Sequence, residues 1–238
     1  MSFGLGRGRT LEPGQIGLTT ADLPPLPDDI LRHPHAGRLD PRSWFTDPAR
    51  PLEIEIGSGK GTFLLAQARA QPDTNFLGIE WAGEFYAYAA DRLRRAGIAN
   101  VRMLHADATD FLHWRLPDAV ARVIHLYFSD PWPKKKHHKN RVVQDRFLAD
   151  AWRVLAPGGE LRVVTDHDEL WAWNLEHFGR WCGAGPTPGH EGPLPAFESH
   201  DFEPPDAAGK DELVGSNFER KFRAEGRRFH SRVLRKRG

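Results

Sequence analysis

The chain has 238 residues, room for one α/β domain with appendages. It is 39% hydrophobic and 27% charged, as a packed domain in water should be, and no apolar run approaches the roughly 20 residues that cross a bilayer. Its one cysteine, Cys182, excludes an intrachain disulfide and a cysteine-built metal site, and the N-terminus lacks the apolar core of a secretion signal, so a cytoplasmic protein is expected.

Residues 1–50 are rich in Pro and Gly without periodicity, and are expected to form a flexible arm ahead of a domain over 51–238. From residue 52 the pattern changes. "LEIEI" predicts a strand bounded by glycine, and "GTFLLAQARAQ" (61–71) a helix that stops at Pro72. "NFLGIEW" (75–81) predicts a second strand and "GEFYAYAADRLRRAG" (83–97) a helix closed by Gly97. Strands follow at 100–107 and 121–130, the latter nearly continuous in apolar residues, as a central parallel strand should be. A helix over 144–159, a strand over 160–166 and a helix over 168–182 complete the series. Strands alternating with helices imply βαβ units and an α/β fold with a doubly wound, mostly parallel sheet. After a Pro/Gly loop at 185–209, residues 216–236 look like two extended segments around Gly226, an antiparallel hairpin at the sheet edge.

The net charge of +1 hides an uneven distribution: residues 219–238 carry nine Lys/Arg against two acids. A second basic run, "KKKHHKNR" (134–141), holds five Lys/Arg and two His. Either run could be a solvated face; two in one chain suggest a polyanionic partner.

The turn "EIGSGKG" (55–61) decides among nucleotide ligands. A P-loop needs Ser or Thr after its Lys, and Gly61 follows Lys60. A dinucleotide fingerprint needs a third glycine where Thr62 stands, and Glu55 would repel a pyrophosphate. Glu55, Gly57, Gly59 and Gly61 instead suit a ligand with an ammonium and a sulfonium, both present in S-adenosylmethionine. Glu80, Asp107 and Asp130 end the next three strands, where open α/β sheets bind ligands. Glu80 suits ribose hydroxyls, and Asp107 can accept from the adenine amine. Each acid alone could be an ordinary helix cap; four in succession favour a methyl-donor pocket.

"EIGSGKG", "GIEW", "HADA", "SDPWPKKKHHKNR", "VVTDHDEL" and the terminal "SNFERKF", in this order, resemble the bacterial tRNA (guanine-N7-)-methyltransferases over roughly residues 50–235. The resemblance implies a Rossmann-like class I methyltransferase that methylates N7 of guanosine at position 46, in the tRNA variable loop. It implies donor contacts at Glu55, Glu80, Asp107 and Asp130, with Asp130 at the reacting centre. It implies substrate contacts at Lys134, Asp166, Ser216, Asn217, Phe218 and Glu219, and RNA contacts at Lys136, His137, His138, Lys139, Asn140 and Arg141. Ser216 stands where the family usually has Thr, Asn217 where it has Lys, and Pro133 where it often has His. Trp132 could stack the target base or pack in the core. Glu219 could meet an amine of donor or substrate, or a neighbouring cation. The tail "RVLRKRG" could bind phosphate or merely solubilise. His137 and His138 sit among lysines with no nearby carboxylate, so no metal is expected. Neither membrane contact nor an oligomeric state is written in the sequence. The rival functions are methylation of another RNA or a non-RNA substrate, or RNA binding with a degenerate pocket.

Overall fold

The computed structural model describes Leu5, Gly6, Gly8, residues 10–192 and residues 194–237; the first four residues of the expected arm, and its positions 7 and 9, lie outside them. Five parallel strands form the centre: β2 (Leu52–Ile56), β3 (Asn75–Glu80), β4 (Val101–His105), β5 (Ala121–Tyr127) and β6 (Leu155–Thr165). The helices between them are α1 (Thr62–Ala70), α2 (Gly83–Arg95), α3 (Ala108–Arg115) and α4 (Asp145–Val154), and α5 (Asp168–Trp181) follows β6. Helix α3 carries no periodic apolar face and went unmarked in the sequence. With β1 (Gly17–Thr19), β7 (Phe197–His200) and β8 (His230–Lys236) the spatial order is β1-β4-β3-β2-β5-β6-β8-β7. The strand order reverses between β2 and β5, and the crevice at their carboxyl ends is where such sheets take ligands.

Each face of the sheet has its own core. Ile54, Ile56, Leu77, Ile79, Ile124 and Leu126 pack against α3, α4 and α5 through Phe111, Phe147, Leu148 and Trp181. Phe76, Val101, Met103 and Tyr127 pack against Phe63 and Leu64 of α1 and Tyr86, Ala89 and Leu93 of α2. Strand β2 reads as alternating, yet all five of its residues are buried. Its Glu53 is tolerated there because Arg122 and His125 Nε2 bond its carboxylate, the latter at 2.8 Å.

Two expectations need revision. The segment before residue 51 supplies β1, which pairs in parallel with β4, and buries Ile16, Leu23 and Phe45. The hairpin expected within 216–236 is half helix: Asn217–Ala224 form α6, and β8 pairs antiparallel with β6 on one side and with β7 on the other. Ser216 caps α6, its hydroxyl accepting from the Glu219 N–H at 3.1 Å. Ser-x-x-Glu is a helix-start signal. Phe218 and Phe222 share a face under either reading, since a spacing of four fits both period 2 and period 3.6.

Candidate active site

The site begins at the turn after β2. Gly57, Gly59 and Gly61 all have positive φ, at 75°, 52° and 64°. Three left-handed positions in five residues are affordable only to glycine. A side-chain carbon built on Gly57 would meet nothing within 4 Å, so the backbone there is open to close approach. Glu80, the last residue of β3, clasps this turn: one carboxylate oxygen accepts from the Gly59 N–H at 2.7 Å, the other from the Ala82 N–H at 2.9 Å.

Gly57, Glu80, Asp107 and Asp130 line one cavity of about 570 Å³, with Ile56, Ile79, Val142 and Phe147 as its apolar part. Asp107 is both cap and wall. Its Oδ1 takes all three capping bonds, from the Thr109 N–H at 2.8 Å, the Thr109 hydroxyl at 2.6 Å and the Asp110 N–H at 3.1 Å. Oδ2 has no hydrogen bond among the described residues. Asp130 is exposed and has no hydrogen bond or ion pair among the described residues. Glu55 departs from the other acids. It does not line the cavity but lies buried under the turn, with Oε2 unbonded among the described residues. Burial pushes its carboxyl up to about 8, with the nearby Glu80 charge adding to the rise. Gly59 and Gly61 shape the turn without lining the cavity.

The segment after β5 carries Asp130 between two strained residues, Phe128 at φ 55° and Trp132 at φ 44°. Trp132 lines the cavity, lies outside both cores and has His137 at 5.8 Å between ring centres. The basic run then forms a short 3-10 helix, Lys135–Asn140. Lys134, Lys135, Lys136, Lys139 and Asn140 are exposed, and the four lysines have no ion pair among the described residues. His137 and His138 are half-buried, His138 against Trp173 at 5.7 Å. Arg141, expected to be an RNA-facing cation, is only 2% exposed. The end of the other basic run is spent within the fold: Arg232 pairs with Asp201, Arg235 with Glu160 and Arg237 with Glu198, while Lys236 donates to the Leu155 carbonyl at 2.7 Å. The tail is strand β8, held between β6 and β7, and its cations neutralise neighbouring acids.

The expected substrate residues lie outside the cavity, on the same rim of strand ends. Phe218, 41% exposed, lies on the glycine turn: a side-chain carbon on Gly59 would stand 3.3 Å from its ring. Asn217 is exposed. Asp166 accepts from Arg227 at 2.5 Å. Glu219 is 0% exposed and accepts from the N–H groups of Leu213, Val214 and Gly215 and from Arg223. Burial alone would raise its carboxyl pKa; those four donors outweigh burial and hold it below the ordinary value. A buried carboxylate so fully bonded builds the loop ahead of α6 and does not face a substrate amine.

Residues 49–183 match a family model described as "Putative methyltransferase". A tRNA (guanine-N(7)-)-methyltransferase of Nitrobacter hamburgensis is 41% identical over 181 residues, covering 76% of this chain and 69% of that protein. The chain belongs to the tRNA (guanine-N7-)-methyltransferase family. Proteins of the same name from Rhodospirillum rubrum and Geobacillus thermodenitrificans are each 35% identical, covering 83% and 86% of this chain and 79% and 88% of their own lengths. The crystal structure of the aminoglycoside resistance methyltransferase NpmB1 shares the fold, with a TM-score of 0.50, 19% identity, and 89% of this chain and 94% of that chain covered.

The residues present fit the methyl donor that a methyltransferase of this family uses. The open backbone at Gly57, the Oδ2 of Asp107, which has no hydrogen bond among the described residues, and the carboxylates of Glu80, Asp107 and Asp130 in one cavity suit a cationic ligand with an adenosine group. Trp81 is a wall residue the sequence reading left without a role. It is 71% exposed and lines the cavity beside Glu80. Its signal was an aromatic directly after a strand-terminal acid. Among the described residues no cluster of three His, Cys, Asp or Glu could hold a metal, and no helix is long and apolar enough to cross a membrane.

Proposed function

We propose that this protein transfers the methyl group of S-adenosylmethionine to N7 of guanosine in tRNA, and that the acceptor is guanosine 46 of the variable loop. The observation that carries the reading is the meeting of Glu80, Asp107 and Asp130 in one cavity beside the three-glycine turn, next to exposed lysines that have no ion pair among the described residues. We place the reaction in the cytoplasm, with tRNA.

When bound, the donor supplies a methyl group on a positively charged sulfur. Glu80 is placed to accept from ribose hydroxyls and Asp107 Oδ2 from the adenine amine, while Gly57 admits close approach. Guanine N7 has a free lone pair on the major-groove edge, so no side chain has to remove a proton. The protein orients the base and meets the positive charge that the purine acquires. Asp130, exposed on the cavity wall and without a hydrogen bond or ion pair among the described residues, stabilises that charge and can accept from the guanine N1–H or amine. Trp132 offers an aromatic face to the base; such stacking is worth about 1–3 kcal/mol. Lys134, Lys136 and Lys139 meet the tRNA backbone, and Phe218 and Asn217 close the acceptor side. Glu55 supports the turn from beneath. Asp166 and Glu219 hold Arg227 and the loop before α6.

Incubating purified protein with unmodified tRNA and labelled donor, then locating N7-methylguanosine by chemical strand scission, tests the reading. Label at another guanosine would overturn the position; label on another atom would overturn the reaction.

A further inference from the structure

The segment that carries Asp130 is strained, and Asp130 itself has no hydrogen bond or ion pair among the described residues. Positive φ at Phe128 and Trp132 persists only where surrounding contacts enforce it. On one side Phe128 packs edge-on against Phe222 and Phe229, at 5.8 and 5.6 Å between ring centres. On the other side stands Arg141.

Arg141 closes the basic run, yet it is among the largest fully buried side chains. Its Nε donates to the carbonyl of Pro131 at 2.9 Å, and its Nη2 donates to Glu169 Oε1 at 2.7 Å. The guanidinium lies 5.2 Å from the centre of the Trp173 ring. The Arg141 carbonyl accepts from Gln144 Nε2 at 2.6 Å. The side chain therefore ties the Pro131 carbonyl, one residue after Asp130, to α5, while the main-chain carbonyl of the same residue is held from the approach to α4. Arg141 lines the cavity, but its side chain is 1% exposed and its guanidinium is already bonded to Pro131 and Glu169, so a phosphate on the outer surface would compete with both. A lysine could not replace it, because a single ammonium lacks the planar fork that serves two acceptors on different elements.

We propose that Arg141 is a positioning residue for methyl transfer, setting the aim of Asp130 through the Pro131 carbonyl, and that it is not an RNA phosphate contact. The proposal rests on the reading of Asp130 given above. The test uses the full chain with Arg141→Lys, Glu169→Gln, Asp130→Asn and the double variant Asp130→Asn/Arg141→Lys. The readouts are kcat, donor affinity, and the salt dependence of tRNA binding. Arg141→Lys should lower kcat about 100-fold, as a misplaced reacting group does. Donor affinity and the salt slope should stay as in the parent. Glu169→Gln, at a residue 52% exposed and so tolerant of change, should lower kcat less and in the same pattern. The double variant should be no slower than Asp130→Asn alone, because residues acting as one unit do not add.

A salt slope reduced by about 0.7–0.9 with kcat preserved would make Arg141 a phosphate contact and overturn the proposal. Additive losses in the double variant would overturn it too. If Arg141→Lys does not fold, Glu169→Gln decides, and an unchanged kcat there sinks the idea. A parental kcat in Asp130→Asn would instead remove the reading of Asp130, a failure visible apart from anything Arg141 does.

Discussion

The amide of Gly59 donates to Glu80 at 2.7 Å, so the acid that ends β3 holds the turn that ends β2. The glycine turn and the acid that lines the cavity beside it are thus one unit. Removing the carboxylate orphans the N–H groups of Gly59 and Ala82 and deletes a cavity wall. Orphaned donors cost about 1–3 kcal/mol each where water cannot replace the partner. Glu80→Ala should weaken donor affinity at least 30-fold, by calorimetric titration, with only a small fall in Tm. Parental affinity would show that the clasp is incidental.

Asp130 behaves in the opposite way. It contributes no bond to the fold among the described residues, so Asp130→Asn should leave Tm and donor affinity alone. Turnover should drop by about 100- to 1,000-fold, the range for losing one preorganised electrostatic partner. Single-turnover kinetics with saturating donor would separate this from weaker tRNA binding.

The two basic runs should differ in salt dependence. Replacing Lys134, Lys136 and Lys139 by Ala should lower the slope of log K against log salt by about 2–3, since each neutralised phosphate contributes roughly 0.7–0.9. Replacing Arg232, Arg235 and Arg237 by Gln should leave the slope alone and lower Tm, because all three are paired with acids. Filter binding at graded salt and thermal unfolding would show whether the roles are reversed.

Glu55 gives a pH signature. Its carboxyl is pushed up to about 8 in the fold, against an ordinary value of 4.5, with burial the main cause. A raised carboxyl pKa means that the folded state keeps a proton the unfolded chain has lost. This contribution is fully present below pH 4.5 and is lost as pH rises through about 8. Glu55→Gln, which cannot ionise, should be more stable than the parent at pH 8.5 and should show a smaller fall in Tm between pH 6 and 8.5. Parallel curves would mean that Glu55 is ionised throughout.

What the sequence disclosed and what it hid have physical causes. The central sheet was legible because "LEIEI" and "ARVIHLY" sit between turn glycines and helical spacings that leave few alternatives. The glycine turn was legible because an acid followed by three alternate glycines serves few other purposes. Glu55 was grouped with Glu80 and Asp107 by strand position alone. Side chains alternate across a strand, and residue 55 lies one residue inside the end of β2, facing α1. Helix α6 was hidden by a spacing that two periodicities share, although its Ser-x-x-Glu start was visible. Arg141 was hidden by its neighbours: a run of cations reads as surface, and nothing local shows that its last member turns inward to a proline carbonyl.

Every residue that lines the 570 Å³ cavity falls between Ile56 and Asp150, whereas Phe218, Glu219 and strand β8 come later in the chain. Strand β7 can join the sheet only through β8. The gene therefore writes the two halves of the enzyme one after the other. A nascent polypeptide carries every wall of the cavity, and the exposed lysines of 134–139 with them, before it owns Phe218, whose ring covers the glycine turn from the far end of the chain.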